Sequence, residues 1–189
     1  MEDHLAAIKP PVTLHYDFKK RGSLEPSFDD SVDVTLTAQD DGTCCRATSR
    51  FLDGARKAPQ PDIEGLRGNP VILYFLERDI QEMQRLTKGQ PNYFRTRIRM
   101  SVYQSAAIRS IELPYLGHPV NVREITITPY HDDPLRNRFE RFANKRYIFR
   151  LSSDVPGGVY SIQTSMADTS PDAAPLLTEQ MTLDGAGAP

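Results

Sequence analysis

Val12, Leu14, Tyr16 and Phe18 share one phase near the start of the chain, while Thr13, His15, Asp17 and Lys19 share the other. That strict alternation predicts a strand with one face buried. After a loop-like "RGSLEPSFDD", the pattern returns in "SVDVTLTA" with Val32, Val34, Leu36 and Ala38 inward. The turn signal "QDDG" then leads into "TCCRATSRF", which places Cys45, Ala47 and Phe51 inward and Arg46 and Arg50 outward. A Gly/Pro-rich polar stretch over 52–68 reads as a connecting loop.

The period changes at Asn69. This residue is a natural N-cap, Pro70 suits the first helical position, and Gly89 lies just past the end. Leu73, Leu76, Ile80 and Met83 form a stripe at helical spacing, and the first two turns are apolar nearly all round, so the segment is expected to lie across a sheet. Residues 91–106 fit either a strand, with Thr96, Ile98, Met100 and Val102 in one phase, or a helix that begins at Pro91 and aligns Phe94, Ile98, Val102 and Ala106. The helix is the preferred reading, because Pro91 so soon after Gly89 suits a second helix start and an αα-hairpin.

From Ile108 strand patterns return, joined around Gly117, His118 and Pro119. A switch of phase between Val122 and Ile125 predicts a bulge near Arg123 and Glu124. "HDDPLRNRFERF" predicts a short third helix from 134, capped by Asp132 or Asp133, with Leu135, Phe139 and Phe142 on one side. A last hairpin runs through Tyr147, Phe149 and Leu151, turns at Pro156–Gly158, and returns through Tyr160 and Ile162. Residues 1–11 are expected to be a flexible N-terminal segment. Residues 168–189, rich in Ala, Pro, Ser and Thr without a sustained period, are expected to be a disordered C-terminal tail. The fold class that follows is α+β, a single domain over 12–167: an antiparallel β-sheet of about seven strands, curved as a sandwich or half-barrel, with a helix or αα-hairpin on one face and a short third helix.

A length of 189 residues suits one domain with a real core. No apolar run approaches the roughly 18–20 residues of a membrane-spanning helix. No secretory signal is visible at the N-terminus, and a mature exported protein would look the same; the proline-rich, strand-rich composition leans the reading towards the periplasm. Charge is unevenly spread: residues 91–150 carry 11 basic and 5 acidic side chains, whereas 151–189 carry no basic and 5 acidic ones. Most basic residues are Arg, suited to carboxylate or phosphate pairing. Such a stripe either binds something or neutralises itself internally, and internal neutralisation is the preferred reading.

Recognisable catalytic and phosphate-binding motifs are absent. The aromatics among Arg95, Arg97, Arg99 and Arg109 invite a nucleic-acid reading, but the pI near 6.1 argues for a solvated helix face and against nucleic acid as a partner. Adjacent Cys44 and Cys45 point to opposite faces of a strand, one thiol inward and one outward. No cofactor is implied. A helix over the hollow of a sheet suggests a non-enzymatic binding or scaffold protein, holding a hydrophobic small molecule or a protein partner beside Leu73, Leu76, Ile80 and Met83. The competing reading is a metal-assisted hydrolase that uses His131, Asp132 and Asp133.

Overall fold

The computed structural model describes residues 8–39, 44–65, 68–166 and 174–187. Eight antiparallel strands form one sheet: β1 (Val12–Gly22), β2 (Phe28–Ala38), β3 (Cys44–Phe51), β4 (Ala107–Tyr115), β5 (His118–Ile127), β6 (Lys145–Leu151), β7 (Val159–Met166) and β8 (Leu177–Leu183). Their order is β3-β2-β1-β8-β7-β6-β5-β4. Helices α1 (Pro70–Thr87) and α2 (Pro91–Gln104) pack on it and on each other. The fold is α+β, with eight strands where the sequence suggested about seven.

The extra strand is β8, inside the segment expected to be a disordered tail. It is central, bonded to β1 on one side and β7 on the other. Its inward residues are Leu177, Glu179, Met181 and Leu183; the glutamate breaks the apolar alternation, which is why the strand was hidden. At the strand's entry, Ser23 and Leu24 both donate backbone hydrogen bonds to the Leu176 carbonyl. Only a glycine fits at position 22, because a Cβ there would lie 2.2 Å from that carbonyl oxygen at a φ of +143°. Residues 168–173 and 188–189 of the expected tail, and 1–7 of the expected N-terminal segment, lie outside the described residues.

At the far edge the sheet bends back on itself. Leu116 donates to the Gly185 carbonyl at 2.9 Å and Gly187 to that of Pro114 at 3.0 Å, and the Tyr160 hydroxyl donates to both Pro114 and Gly187. The end of β4 is thereby tied to the segment after β8, although three strands stand between them in the sheet order.

α1 begins as expected, with the Asn69 side chain accepting from the Val71 amide at 3.0 Å and Pro70 in the first turn. Lys88, not Gly89, takes the left-handed cap conformation (φ 58°). Residues 91–104 are helical, which settles the choice left between helix and strand. The helix expected from 134 does not form. In its place are two 3₁₀ turns, Arg136–Arg138 and Glu140–Asn144. An α-helix there would align Arg138 with Arg141 and Arg141 with Lys145, like charges at the i+3 and i+4 spacings where they destabilise.

The bulge expected near Arg123 is absent; β5 pairs with β4 and β6 in register there, and the irregularities fall at Thr37/Ala38 and Arg150/Leu151. The phase switch in β5 instead reflects burial on both faces, with Val122 and Ile127 each 1% exposed. Cys45 is buried and Cys44 exposed. Contrary to expectation the two are joined as a vicinal disulfide; the peptide between them is cis and their Cα atoms are 3.1 Å apart.

Candidate functional site

Four residues directly opposite one another in the registers of β1, β8, β7 and β6 are Lys20, Glu179, Thr164 and Tyr147. Directly opposed residues share a face, and all four are buried beneath α1 with Lys145, which lies one alternation along β6. This is an unusual row for the middle of a sheet, and the helix answers it. Arg78 donates to Glu179 at 2.6 Å; Asp79 accepts from Lys145, and from the Tyr147 hydroxyl at 2.8 Å. Tyr130 lies 3.3 Å from Tyr147, hydroxyl to hydroxyl.

Lys20 extends the network outward, binding Glu25 closely and approaching Glu82 at 3.4 Å and Glu179 at 3.5 Å. Arg85 then links Glu82 and Glu25 at the surface. Burial alone would raise the Glu179 carboxyl, but the Arg78, Lys145 and Lys20 charges and the Arg78 hydrogen bond hold it below its ordinary value. Burial likewise works against the Glu82 carboxylate, and the Arg85 hydrogen bond with the Arg78 and Lys20 charges outweighs it, bringing the group down to about 2. Burial first, then the Asp79 charge, pushes the Tyr147 phenol well above its ordinary range. At neutral pH Glu179 and Glu82 are charged and Tyr147 is a hydrogen-bond donor. Asp79 and Tyr147 are fully enclosed, so no substrate reaches them; the inner network fixes how the helix sits on the sheet.

The expected ligand-binding stripe is divided by this arrangement. Ile80 and Met83 are packed in the core, Leu76 is half-buried against it, and Leu73 is 43% exposed. The buried residues of α1 are Pro70, Val71, Tyr74, Phe75, Arg78, Asp79, Ile80 and Met83, so the polar side chains at the interface are the ones that the hydrophobic pattern passed over.

Open volume lies beside the helix. A groove of about 760 Å³ runs between the α1 face carrying Arg78, Gln81, Glu82 and Arg85, the β1–β2 turn, and the loop over 52–59. Those four helix positions recur at i, i+3, i+4 and i+7, one side of a helix. The floor is apolar: Phe28 stacks on the core residue Phe18 with ring centroids 5.9 Å apart, and Leu52, Ala55 and Ala58 continue it. Arg56 lies over the outer face of Phe28, its Cζ 4.7 Å from the ring centroid, while Asp30 holds its Nε at 2.9 Å. Leu52 has a φ of 61°, a left-handed backbone that costs a non-glycine residue about 1–2 kcal/mol. Hydrogen bonds from its amide to Ser31 and from Ala58 to Phe51 hold it there. Charged residues along the groove are Lys20, Arg56, Lys57, Arg78 and Arg85 against Glu25 and Glu82, an excess of cations.

The structure does not bring the histidine and aspartate trio together. His131 and Asp132 face solvent, with side chains 58% and 94% exposed, whereas the Asp133 side chain is buried and turned the other way. Asp133 accepts from the Tyr93 hydroxyl at 2.5 Å and the Leu135 amide at 2.7 Å, and pairs with Arg97 at 2.8 Å. It caps the turn and ties it to α2. Among the described residues no group of three or more His, Cys, Asp and Glu side chains is arranged to hold a metal ion.

No known protein family matches the chain, and no curated protein does. Among solved structures the chain is similar to the crystal structure of Mycobacterium tuberculosis lipoprotein LppX, at 10% identity and a TM-score of 0.37, over 98% of this chain and 92% of that one. No described helix is long and apolar enough to cross a membrane.

Proposed function

We propose that the protein is a non-enzymatic binding protein and that its ligand is an amphipathic anion, held in the groove beside α1 and not beneath the helix. The supporting observation is the groove's lining, in which an apolar floor around Phe28 and Leu52 faces a rim richer in cations than in carboxylates. Its volume of about 760 Å³ falls in the range of small-molecule sites. An apolar tail would lie along the floor. Its acidic head would take the guanidinium hydrogens that Arg56 and Arg85, each about half exposed, leave free. The contact region is thus apolar in part, as expected of a hydrophobic ligand, but the preferred ligand also carries charge.

Binding of anilinonaphthalenesulfonate, followed by its fluorescence, tests this reading. Dodecanoate is expected to displace the dye and dodecyltrimethylammonium is not. Arg56→Gln removes a charge-assisted contact and Phe28→Ala removes the floor, and each is expected to weaken dodecanoate binding about tenfold or more. Equal displacement by the cation, or binding unchanged in both variants, would refute the proposal.

A further inference from the structure

We infer that the turn segment running from Leu135 to Arg146 is a docking surface for an anionic lipid bilayer. Every described arginine before residue 98 holds a carboxylate, from Arg21 with Asp29 to Arg97 with Asp133. Arg109 and Arg150 share Glu124. The basic middle of the sequence therefore neutralises itself over most of its length. Arg99 on α2 and a group of four further on, Arg136, Arg138, Arg141 and Arg146, are the exceptions: all are exposed, and none has a side-chain ion pair or hydrogen bond among the described residues. Three of these, Arg136, Arg138 and Arg141, fall within six residues of the two 3₁₀ turns, and Arg146 follows at the start of β6, so positive charge is concentrated along this segment of a chain whose net charge is -2.

The segment is also held firmly from beneath. Phe139, 5% exposed, packs against Tyr93, Phe94 and Tyr130 with ring centroids 5.6–6.0 Å apart, and Ala143 is buried. The Phe139 ring is thus used inward and Phe142 is half-buried, and the large apolar side chain that remains exposed is the aliphatic Leu135, at 38%. Single-stranded nucleic acid is bound by exposed aromatic faces on which bases stack, and among the described residues of this segment no aromatic ring is fully exposed. Guanidinium forks around an outward leucine suit a layer of lipid phosphates over hydrocarbon. The surface also borders the groove. Arg141 and Phe142 line a small hollow with Leu24, Glu25, Leu86 and Leu177, and Glu25 is a groove residue as well. The docking surface stands independently of the groove's ligand.

Co-sedimentation with vesicles tests it. The protein is expected to bind vesicles of phosphatidylcholine with phosphatidylglycerol at low salt, to be released as salt rises, and to leave pure phosphatidylcholine vesicles unbound. Each basic residue near such a surface is worth about a fivefold change in partition. Arg136→Gln with Arg138→Gln should therefore lower binding about 25-fold, and the same positions changed to Lys should restore most of it. Leu135→Ser should lower it a few-fold, whereas Phe28→Ala in the groove should leave it unchanged. Any of three outcomes would overturn the inference: equal binding to the neutral vesicles, tighter binding to a single-stranded oligonucleotide than to the anionic vesicles, or displacement by inorganic phosphate at concentrations that barely change ionic strength. The last would mark a discrete phosphate site and not a bilayer surface.

Discussion

Asp79→Ala should lower the free energy of unfolding by about 3–5 kcal/mol, because it strands a charged Lys145 in the core. Both side chains are essentially enclosed, 0% and 3% exposed, and the Tyr147 hydroxyl loses its acceptor in the same step. With typical domains stable by only about 5–15 kcal/mol, the variant should unfold at markedly lower urea, and Lys145→Ala should behave similarly. The double replacement Asp79→Leu with Lys145→Met should come back close to the parent, since removing both charges also removes their desolvation cost. Urea unfolding followed by far-ultraviolet circular dichroism checks this. A loss below about 1 kcal/mol for both single variants would mean that water reaches the pair and that the helix is not locked as described.

Glu179→Gln should be the second most damaging change, at about 3 kcal/mol. It keeps the shape of the side chain but removes the charge that Arg78 binds at 2.6 Å and that Lys20 approaches at 3.5 Å. Lys20 retains Glu25 and Glu82, which is why the expected loss sits at the lower end for a broken buried pair. The change also alters the response to acid. Glu179 and Glu82 both have folded values below the ordinary carboxyl value, so their contribution to stability is present above about pH 4.5 and is lost as the pH falls. For Glu82 the loss runs down to about pH 2. The parent should therefore destabilise steeply below about pH 4.5, and the Glu179→Gln variant, already without one of these groups, should do so less steeply. Parallel acid profiles for the two proteins would contradict the assignment of Glu179 to the network.

Much of the fold was legible because its signals are local. Alternation from Val12 to Phe18 marks β1, and the Asn69-Pro70 pair marks the start of α1, whatever surrounds them. β8 was not legible because its central inward position is a glutamate, and a charge there is tolerable only once Arg78 has been brought to it across 101 residues of chain. The same holds for Lys145 and Lys20. Each continues the inward phase of its strand, Lys145 with Tyr147 and Phe149, Lys20 with Tyr16 and Phe18. A charged residue in the buried phase was thus the available signal, and three strands carried it in the same chain. On α1 the apolar stripe through Leu73, Leu76, Ile80 and Met83 reaches the core at Ile80 and Met83 but passes over Arg78 and Asp79, whose burial depends on partners in β8 and β6.

The groove was not readable from the sequence for a different reason. Phe28 comes from β2, Leu52 and Arg56 from the loop over 52–59, and Arg85 from α1, and no spacing among them repeats a motif. His131, Asp132 and Asp133 were conspicuous by adjacency, yet adjacency turned two of them outward and one inward. Sequence reading also treated the basic middle as one block. Of its arginines from Arg95 to Arg109, three are paired, Arg95, Arg97 and Arg109, and Arg99 has no ion pair among the described residues; the larger group without ion pairs lies further on, from Arg136.

Methyl chemical shifts during titration with dodecanoate test most directly where the ligand sits. Binding in the groove predicts that the Leu52, Ala55 and Ala58 methyl signals move with saturation while those of Ile80 and Met83 hold still. Movement of Ile80 and Met83 together with Leu73 and Leu76, with Leu52 and Ala58 unchanged, would put the ligand beneath the helix and contradict the account.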